Sequence, residues 1–189
     1  FFINKIKKKY KTSFYYNLND QKDVKHDRII FYFKKKQKLI YNDVRKFGFV
    51  KILDLKKYFQ SFHLKDLGPE PLDSKYNLKY FKNYIKGRKL PIKNIMMSQK
   101  FISGLGNIYV NEILFLSQVS PVRRVKTLND REISKIIRYT KIILKNSIKF
   151  GGSSIKNFSS DDGKKGAFQQ QFNVYGKTGE KCSNIDCNK

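Results

Sequence analysis

The apolar residues of this chain change their period once, near residue 70, and that switch limits the fold more than any other feature. Upstream the pattern is that of strands. Arg28 to Phe33 is an apolar, aromatic run of strand length, and Lys38 to Asn42 makes a second. Lys34-Lys35-Lys36-Gln37 between them reads as an exposed hairpin loop. Phe47 to Leu55 predicts a third strand, so residues 1–60 are expected to be β. Leu67-Gly68-Pro69-Glu70-Pro71-Leu72 is a cluster of breakers, and from Ser74 onward the period is helical. Strands followed by helices predict an α+β chain with its domain boundary at that cluster.

Leu78, Phe81, Tyr84 and Ile85 mark one helix, ended by Gly87. Pro91 suits the first turn of the next, with Ile92, Ile95, Met96 and Phe101 facing inward. A third helix is expected from Asn107 to about Gln118. Thr127-Leu128-Asn129-Asp130 resembles a capping signal, after which Ile133, Ile136, Ile137, Thr140, Ile143, Leu144 and Ile148 recur at helical spacing. Gly151-Gly152 closes that helix. Residues 153–172 are polar and read as a loop, and Phe172 to Tyr175 predicts a short strand leading to the cysteines.

Charge narrows the function. The chain carries 41 Lys+Arg against 15 Asp+Glu, a formal net charge of +26. Such an excess predicts a polyanionic partner and salt-sensitive association. Lysine-rich coding bias is the bland alternative, since only seven of the 41 are arginine. A membrane surface fits less well, because no long helix pairs a basic face with an exposed apolar one, and no apolar run reaches the roughly 18 residues of a span. With 40% hydrophobic residues in 189, a folded core is expected. Both cysteines, Cys182 and Cys187, fall in the last eight residues and read as half a metal site or a local disulfide. The chain starts at Phe1 and stops just after Cys187, so both ends look cut and a fragment is expected.

Gly104-Leu105-Gly106-Asn107-Ile108-Tyr109 lies between two helical segments. Its glycines let the backbone approach a ligand closely, and Asn107 then opens a helix whose N-terminal N–H groups and dipole suit a phosphate. In so basic a chain that phosphate is expected to belong to a nucleic acid. An ordinary N-cap asparagine is the alternative.

In their order and spacing these segments resemble the formamidopyrimidine-DNA glycosylases, bacterial base-excision enzymes for oxidised purines. The likeness runs through Lys25-His26-Asp27, Asn42-Asp43-Val44-Arg45-Lys46-Phe47-Gly48, Leu67 to Leu72, Gly87-Arg88-Lys89 and Pro91-Ile92-Lys93. It continues through Gly104 to Glu112, Gly151-Gly152, Asp162-Gly163-Lys164, Phe168-Gln169-Gln170, Val174-Tyr175-Gly176 and Gly179-Glu180-Lys181-Cys182. The resemblance implies the later part of a β-sandwich domain over residues 1–65, a helix–two-turns–helix DNA-binding domain over 66–175, and the start of a zinc finger over 176–189. It also implies a cytoplasmic monomer acting on double-stranded DNA that contains an oxidised base.

The same resemblance assigns roles. Asn107 would contact the phosphate beside the lesion, a contact that positions without reading sequence. Arg45 and Phe47 match a void-filling loop: when a base is flipped out, an aromatic wedge fills the hole and an arginine holds the orphaned partner. Val44 stands where the family usually has proline, which makes that loop less rigid. His26 corresponds to a histidine near the DNA backbone, Arg88 and Lys89 to a basic pair facing DNA, and Tyr175 to a phosphate donor or, equally, a core aromatic. His63 and Glu112 receive no functional role, and Glu112 is expected to be structural. Residues 153–172 resemble the segment that closes over a flipped oxidised purine, with Ala167 in place of the usual tyrosine.

Two departures concern chemistry. The family's zinc finger uses two cysteine pairs. Cys182 matches the first cysteine, but Ser183 to Asp186 separate it from Cys187 by four residues where the family has two. Such a spacing still suits zinc, yet no second pair follows, and weak zinc binding or none is expected. The family's catalytic groups are an N-terminal proline nucleophile, its neighbouring glutamate, a lysine and a zinc-finger arginine; no residue of this chain matches them, so no catalytic residue is assigned. The chain is therefore expected to bind DNA without excising bases, while the intact protein would also cleave the abasic strand by β,δ-elimination. Two other readings stand beside this one. Endonuclease VIII has the same fold and acts on oxidised pyrimidines; Asp162-Gly163-Lys164 with Phe168-Gln169-Gln170 favours the purine enzyme. A non-catalytic RNA-binding module is the other, and Arg45 with Phe47 argues against it.

Overall fold

The computed structural model describes residues 2–5, 8–9, 24–34, 37–43, 45–54, 56–153 and 168–184. They divide between two compact units, one within 1–52 plus 150–169 and one within 53–149 plus 170–189. The expectations for Val44, Asp162-Gly163-Lys164, Ala167 and Cys187 lie outside the described residues.

The first unit is built on a four-stranded antiparallel sheet in the order β2-β1-β4-β3. Its strands are β1 (Phe2–Lys5), β2 (Lys8–Lys9), β3 (Asp27–Phe33) and β4 (Gln37–Asn42). The β3–β4 hairpin pairs Ile30 with Ile40 and Tyr32 with Lys38, while Phe2 meets Ile40 from the other side. Alternation works as a half-buried sheet requires: Ile29 and Phe31 are half-buried, whereas Ile30 and Tyr32 face out. Ile40 is buried, and so is Phe168, whose ring lies 6.5 Å from that of Phe150.

The expected third strand, Phe47 to Leu55, does not form among the described residues. Its period suits a strand, but β4, which it follows by a tight turn, already has β1 on one edge and β3 on the other. With both edges of β4 taken, the segment finds no ladder on the strand it follows, and its described residues are irregular. Phe47, Phe49 and Ile52 are exposed along it.

The second unit is helical: α1 (Leu78–Ile85), α2 (Ile92–Met97), α3 (Asn107–Leu116) and α4 (Asp130–Lys149). Local chemistry sets the starts. Asn77 Oδ1 accepts from the Tyr80 N–H at 3.0 Å to cap α1. At α4 the Asn129 side chain accepts from Glu132 N at 2.9 Å while Glu132 Oε2 accepts from Asn129 N at 3.0 Å, a reciprocal capping box. Glu132 also pairs with Arg123, and these bonds, Asn129 first, hold its carboxyl below the usual range. The core gathers around Phe101, which is fully buried and stacks on Tyr80 at 5.9 Å with Phe81 edge-on at 4.9 Å. Burying an aromatic of this size contributes roughly 1.5–3 kcal/mol. Gly68 passes so close that a Cβ there would lie 2.4 Å from the Phe101 carbonyl oxygen. On α4, Ile133, Ile136, Thr140 and Ile143 face inward, but the stripe then runs through Ser147 rather than the exposed Ile148. Ser147 Oγ bonds the Tyr109 hydroxyl at 2.6 Å, tying α4 to α3.

The expected strand from Phe172 to Tyr175 is also absent. The backbone N–H groups of Asn173, Val174 and Tyr175 donate to the Glu112 carboxylate, which takes the place of a ladder partner.

Candidate nucleic-acid interface

In the first unit the site is a turn made by one carboxylate. Asp43, just past β4, accepts from Arg45 N at 3.0 Å and Lys46 N at 2.9 Å through Oδ1. Its Oδ2 accepts from Gly48 N at 2.9 Å and from the Tyr41 hydroxyl at 3.1 Å. These donors, Gly48 foremost, keep the Asp43 carboxyl below the usual carboxylate range. Lys46 takes the left-handed conformation, φ 57°. At Gly48 a Cβ would lie 1.6 Å from the Tyr41 hydroxyl oxygen, so only glycine leaves room for that hydroxyl. The turn presents Arg45 and Phe47 together: the guanidinium lies 4.7 Å from the ring centroid, and the ring is 78% exposed. A guanidinium over an aromatic face is stabilised by the ring quadrupole. His26 belongs to the same end of the hairpin, its carbonyl accepting from Asp43 N at 2.9 Å and its Nδ1 lying 3.4 Å from Arg28 Nη2. Arg28 Nε donates to the Asp43 carbonyl at 3.1 Å.

In the second unit the glycine turn leads into α3 as its sequence requires. Gly104 is left-handed, φ 81°. Gly106 is the cap residue and brings no capping side chain, so Asn107 is the first helical residue and not the N-cap. Asn107 is exposed, and its Oδ1 accepts from Asn111 Nδ2 at 3.4 Å. The turn is held from outside by Gln99, whose Oε1 accepts from Gly104 N at 2.7 Å and whose Nε2 donates to the Leu105 carbonyl at 2.9 Å.

Arg88 and Lys89 are exposed after left-handed Gly87. Arg88 Nε donates to the Tyr84 carbonyl at 2.7 Å and its guanidinium lies 4.3 Å from the Tyr84 ring centroid. Tyr175 is half-buried with its ring edge-on to Phe172 at 5.8 Å. It is tethered to α3 through Glu112. That carboxylate is 2% exposed and accepts from Asn173 N, Asn173 Nδ2, Val174 N and Tyr175 N at 2.8–3.0 Å. Sequence reasoning marked Glu112 as structural, which agrees with its place, but it overlooked Gln99. No motif announces a glutamine five residues before the turn it holds.

Cys182 is a half-buried free thiol, and among the described residues no cluster of three or more His, Cys, Asp or Glu side chains is arranged to hold a metal. The chain has two cysteines and two histidines, with His26 and His63 in different units from one another. A closed tetrahedral thiolate site does not fit this set of donors.

A family model described as the formamidopyrimidine-DNA glycosylase H2TH domain matches residues 67–159, the stretch that contains Arg88, Lys89 and Asn107. The chain is 39% identical over 158 residues to the formamidopyrimidine-DNA glycosylase of Oceanobacillus iheyensis, covering 84% of this chain and 56% of the relative. It is 40% identical over 161 residues to that of Rickettsia massiliae, covering 85% and 57%. The chain belongs to the formamidopyrimidine-DNA glycosylase family. Solved members of the family share its backbone. A Lactococcus lactis glycosylase variant in complex with DNA containing Fapy-dG gives a TM-score of 0.77 at 36% identity, over 88% of this chain and 61% of that one. The Thermus thermophilus glycosylase gives 0.75 at 29% identity, over 84% and 60%. The α+β class follows from the same likeness. The chain spans less than two thirds of the length of these formamidopyrimidine-DNA glycosylases.

Proposed function

We propose that this chain is the DNA-gripping portion of a base-excision glycosylase for oxidised purines such as 8-oxoguanine and formamidopyrimidines. The observation that carries this reading is the turn at Asp43, which holds Arg45 over an exposed Phe47 in the geometry of a wedge. Unstacking and flipping a base costs about a few kcal/mol. Phe47 entering the vacated space, and Arg45 hydrogen-bonding the orphaned base, offset part of that cost.

The second unit supplies the grip. Asn107 and the N–H groups of the first turn of α3 face one phosphate, where a negative charge also meets the positive end of the helix dipole. The Arg88 guanidinium, the Lys89 ammonium and the Tyr175 hydroxyl extend the track along the backbone, and His26 adds a contact beside the wedge. These contacts fix register and carry no sequence information. Residues 66–175 act as the helix–two-turns–helix domain, residues 1–65 as part of a sandwich domain, and residues 176–189 as the beginning of a zinc finger. Zinc would take Cys182 and Cys187 as ligands only with further donors.

In the intact protein the reaction joins base excision to β,δ-elimination at the abasic site. No residue of this chain is assigned to bond breaking, so the 189 residues bind damaged duplex as a cytoplasmic monomer and leave the glycosidic bond intact. Fluorescence anisotropy with a duplex carrying 8-oxoguanine tests this, using undamaged duplex and structured RNA as competitors at fixed salt. Tighter binding to the lesion duplex is expected, with no borohydride-trapped covalent complex. Preference for RNA, or a trapped complex, contradicts the proposal.

A further inference from the structure

We infer that Asp43 is a positioning residue for partner-base choice, holding Arg45 and Phe47 as one preassembled wedge. The inference rests on the wedge reading of Arg45 and Phe47 given above and adds how the wedge gains selectivity. Each oxygen of the Asp43 carboxylate serves two donors. Oδ1 takes the backbone N–H groups of Arg45 and Lys46, and Oδ2 takes that of Gly48 together with the Tyr41 hydroxyl. The backbone is thereby pinned on both sides of Phe47, with Lys46 held left-handed between. Two neighbours pin Asp43 itself, since its N–H donates to the His26 carbonyl and its own carbonyl accepts from Arg28 Nε. The sheet end and the wedge therefore form one hydrogen-bonded body.

Arginine distinguishes bases only when its fork meets their acceptors at a fixed angle. A loosened turn lets the guanidinium follow any base, so affinity declines less than selectivity does. Asparagine at position 43 keeps a single oxygen and cannot serve both pairs of donors. Its amide group would oppose either Gly48 N–H or the N–H groups of Arg45 and Lys46. The same donors, Gly48 foremost, hold the Asp43 carboxyl below the usual range and so favour the charged form that serves both pairs.

The test measures dissociation constants of the full 189-residue chain for one lesion placed opposite cytosine and opposite adenine. Asp43→Asn should lower the ratio of the two constants by about fivefold or more, because a well-placed arginine contact is worth roughly tenfold in discrimination. Tyr41→Phe, which removes one of the four donors, should lower it by a smaller factor while leaving the melting temperature unchanged. The slope of affinity against salt should be the same in all three proteins, since no phosphate contact is lost. If Arg45→Ala collapses the ratio while Asp43→Asn and Tyr41→Phe keep it, the inference is wrong and the wedge stands. If Arg45→Ala itself leaves the ratio unchanged, the wedge reading fails, and this inference with it.

Discussion

Replacing Glu112 by glutamine should release the segment that carries Tyr175. The carboxylate is almost completely buried and accepts four hydrogen bonds, all from neutral N–H groups on Asn173, Val174 and Tyr175. An amide of the same shape keeps one oxygen, so two of the four donors lose their acceptor and confront an NH2 group instead. A hydrogen bond to a charged acceptor contributes about 1.5–3 kcal/mol, and a stranded buried donor costs a similar amount. The loss is therefore about 3 kcal/mol or somewhat more. Shared over a unit of this size it should lower the melting temperature by roughly 10 °C. The effect should also be local. Hydrogen exchange by mass spectrometry should show faster exchange at 173–175 than in wild type, while the amides of α4 keep their ranking. DNA affinity should fall as Tyr175 loses its anchor, with Asn107 untouched. If exchange at 173–175 and the melting temperature both match wild type, the carboxylate clamp is not a load path and the reasoning fails.

Three further outcomes follow from the same geometry. Gln99→Met keeps the side chain's length but removes both bonds to the Gly104 turn, and should weaken DNA binding about threefold to tenfold at unchanged melting temperature, as read by anisotropy. Gly68→Ala drives a Cβ into the Phe101 carbonyl and should destabilise the helical unit by more than about 2 kcal/mol in urea titration. Because Asp43 has a lowered carboxyl pKa, its contribution to the turn is fully present above the ordinary value of about 3.9 and is lost only as pH falls through the lowered one. The Arg45, Lys46 and Gly48 amide resonances should therefore hold their positions through pH 4 and move together below it in an NMR titration.

Much of the helical unit was legible because its signals are local. Asn129 and the left-handed Gly87, Gly104 and Gly151 all act within a few residues of the ends they define. The β region was legible as strands but not as a sheet. Period predicted a strand at Phe47 to Leu55, yet whether an edge is vacant beside β4 depends on β1, and alternation carries no such information. The strand expected at Phe172 to Tyr175 failed for a related reason, since the partner of its N–H groups is a side chain 61–63 residues earlier. Of the candidate contacts, Arg45 and Phe47 were recognised as a pair, and the structure places one over the other. The groups that hold the contacts in place, Gln99 and Tyr41 among them, were not, because a polar side chain that braces a turn looks in sequence like any surface residue.

The central claim is that Arg45 and Phe47 enter a duplex where a base has left it. Fluorescence of 2-aminopurine placed opposite an oxidised guanine reports that event directly, because unstacking brightens it. The account predicts a rise when the chain is added to the lesion duplex, no rise with the undamaged duplex, and loss of the rise in Phe47→Ala even where that variant is saturated with DNA. An equal rise with both duplexes, or an undiminished one in Phe47→Ala, would contradict it.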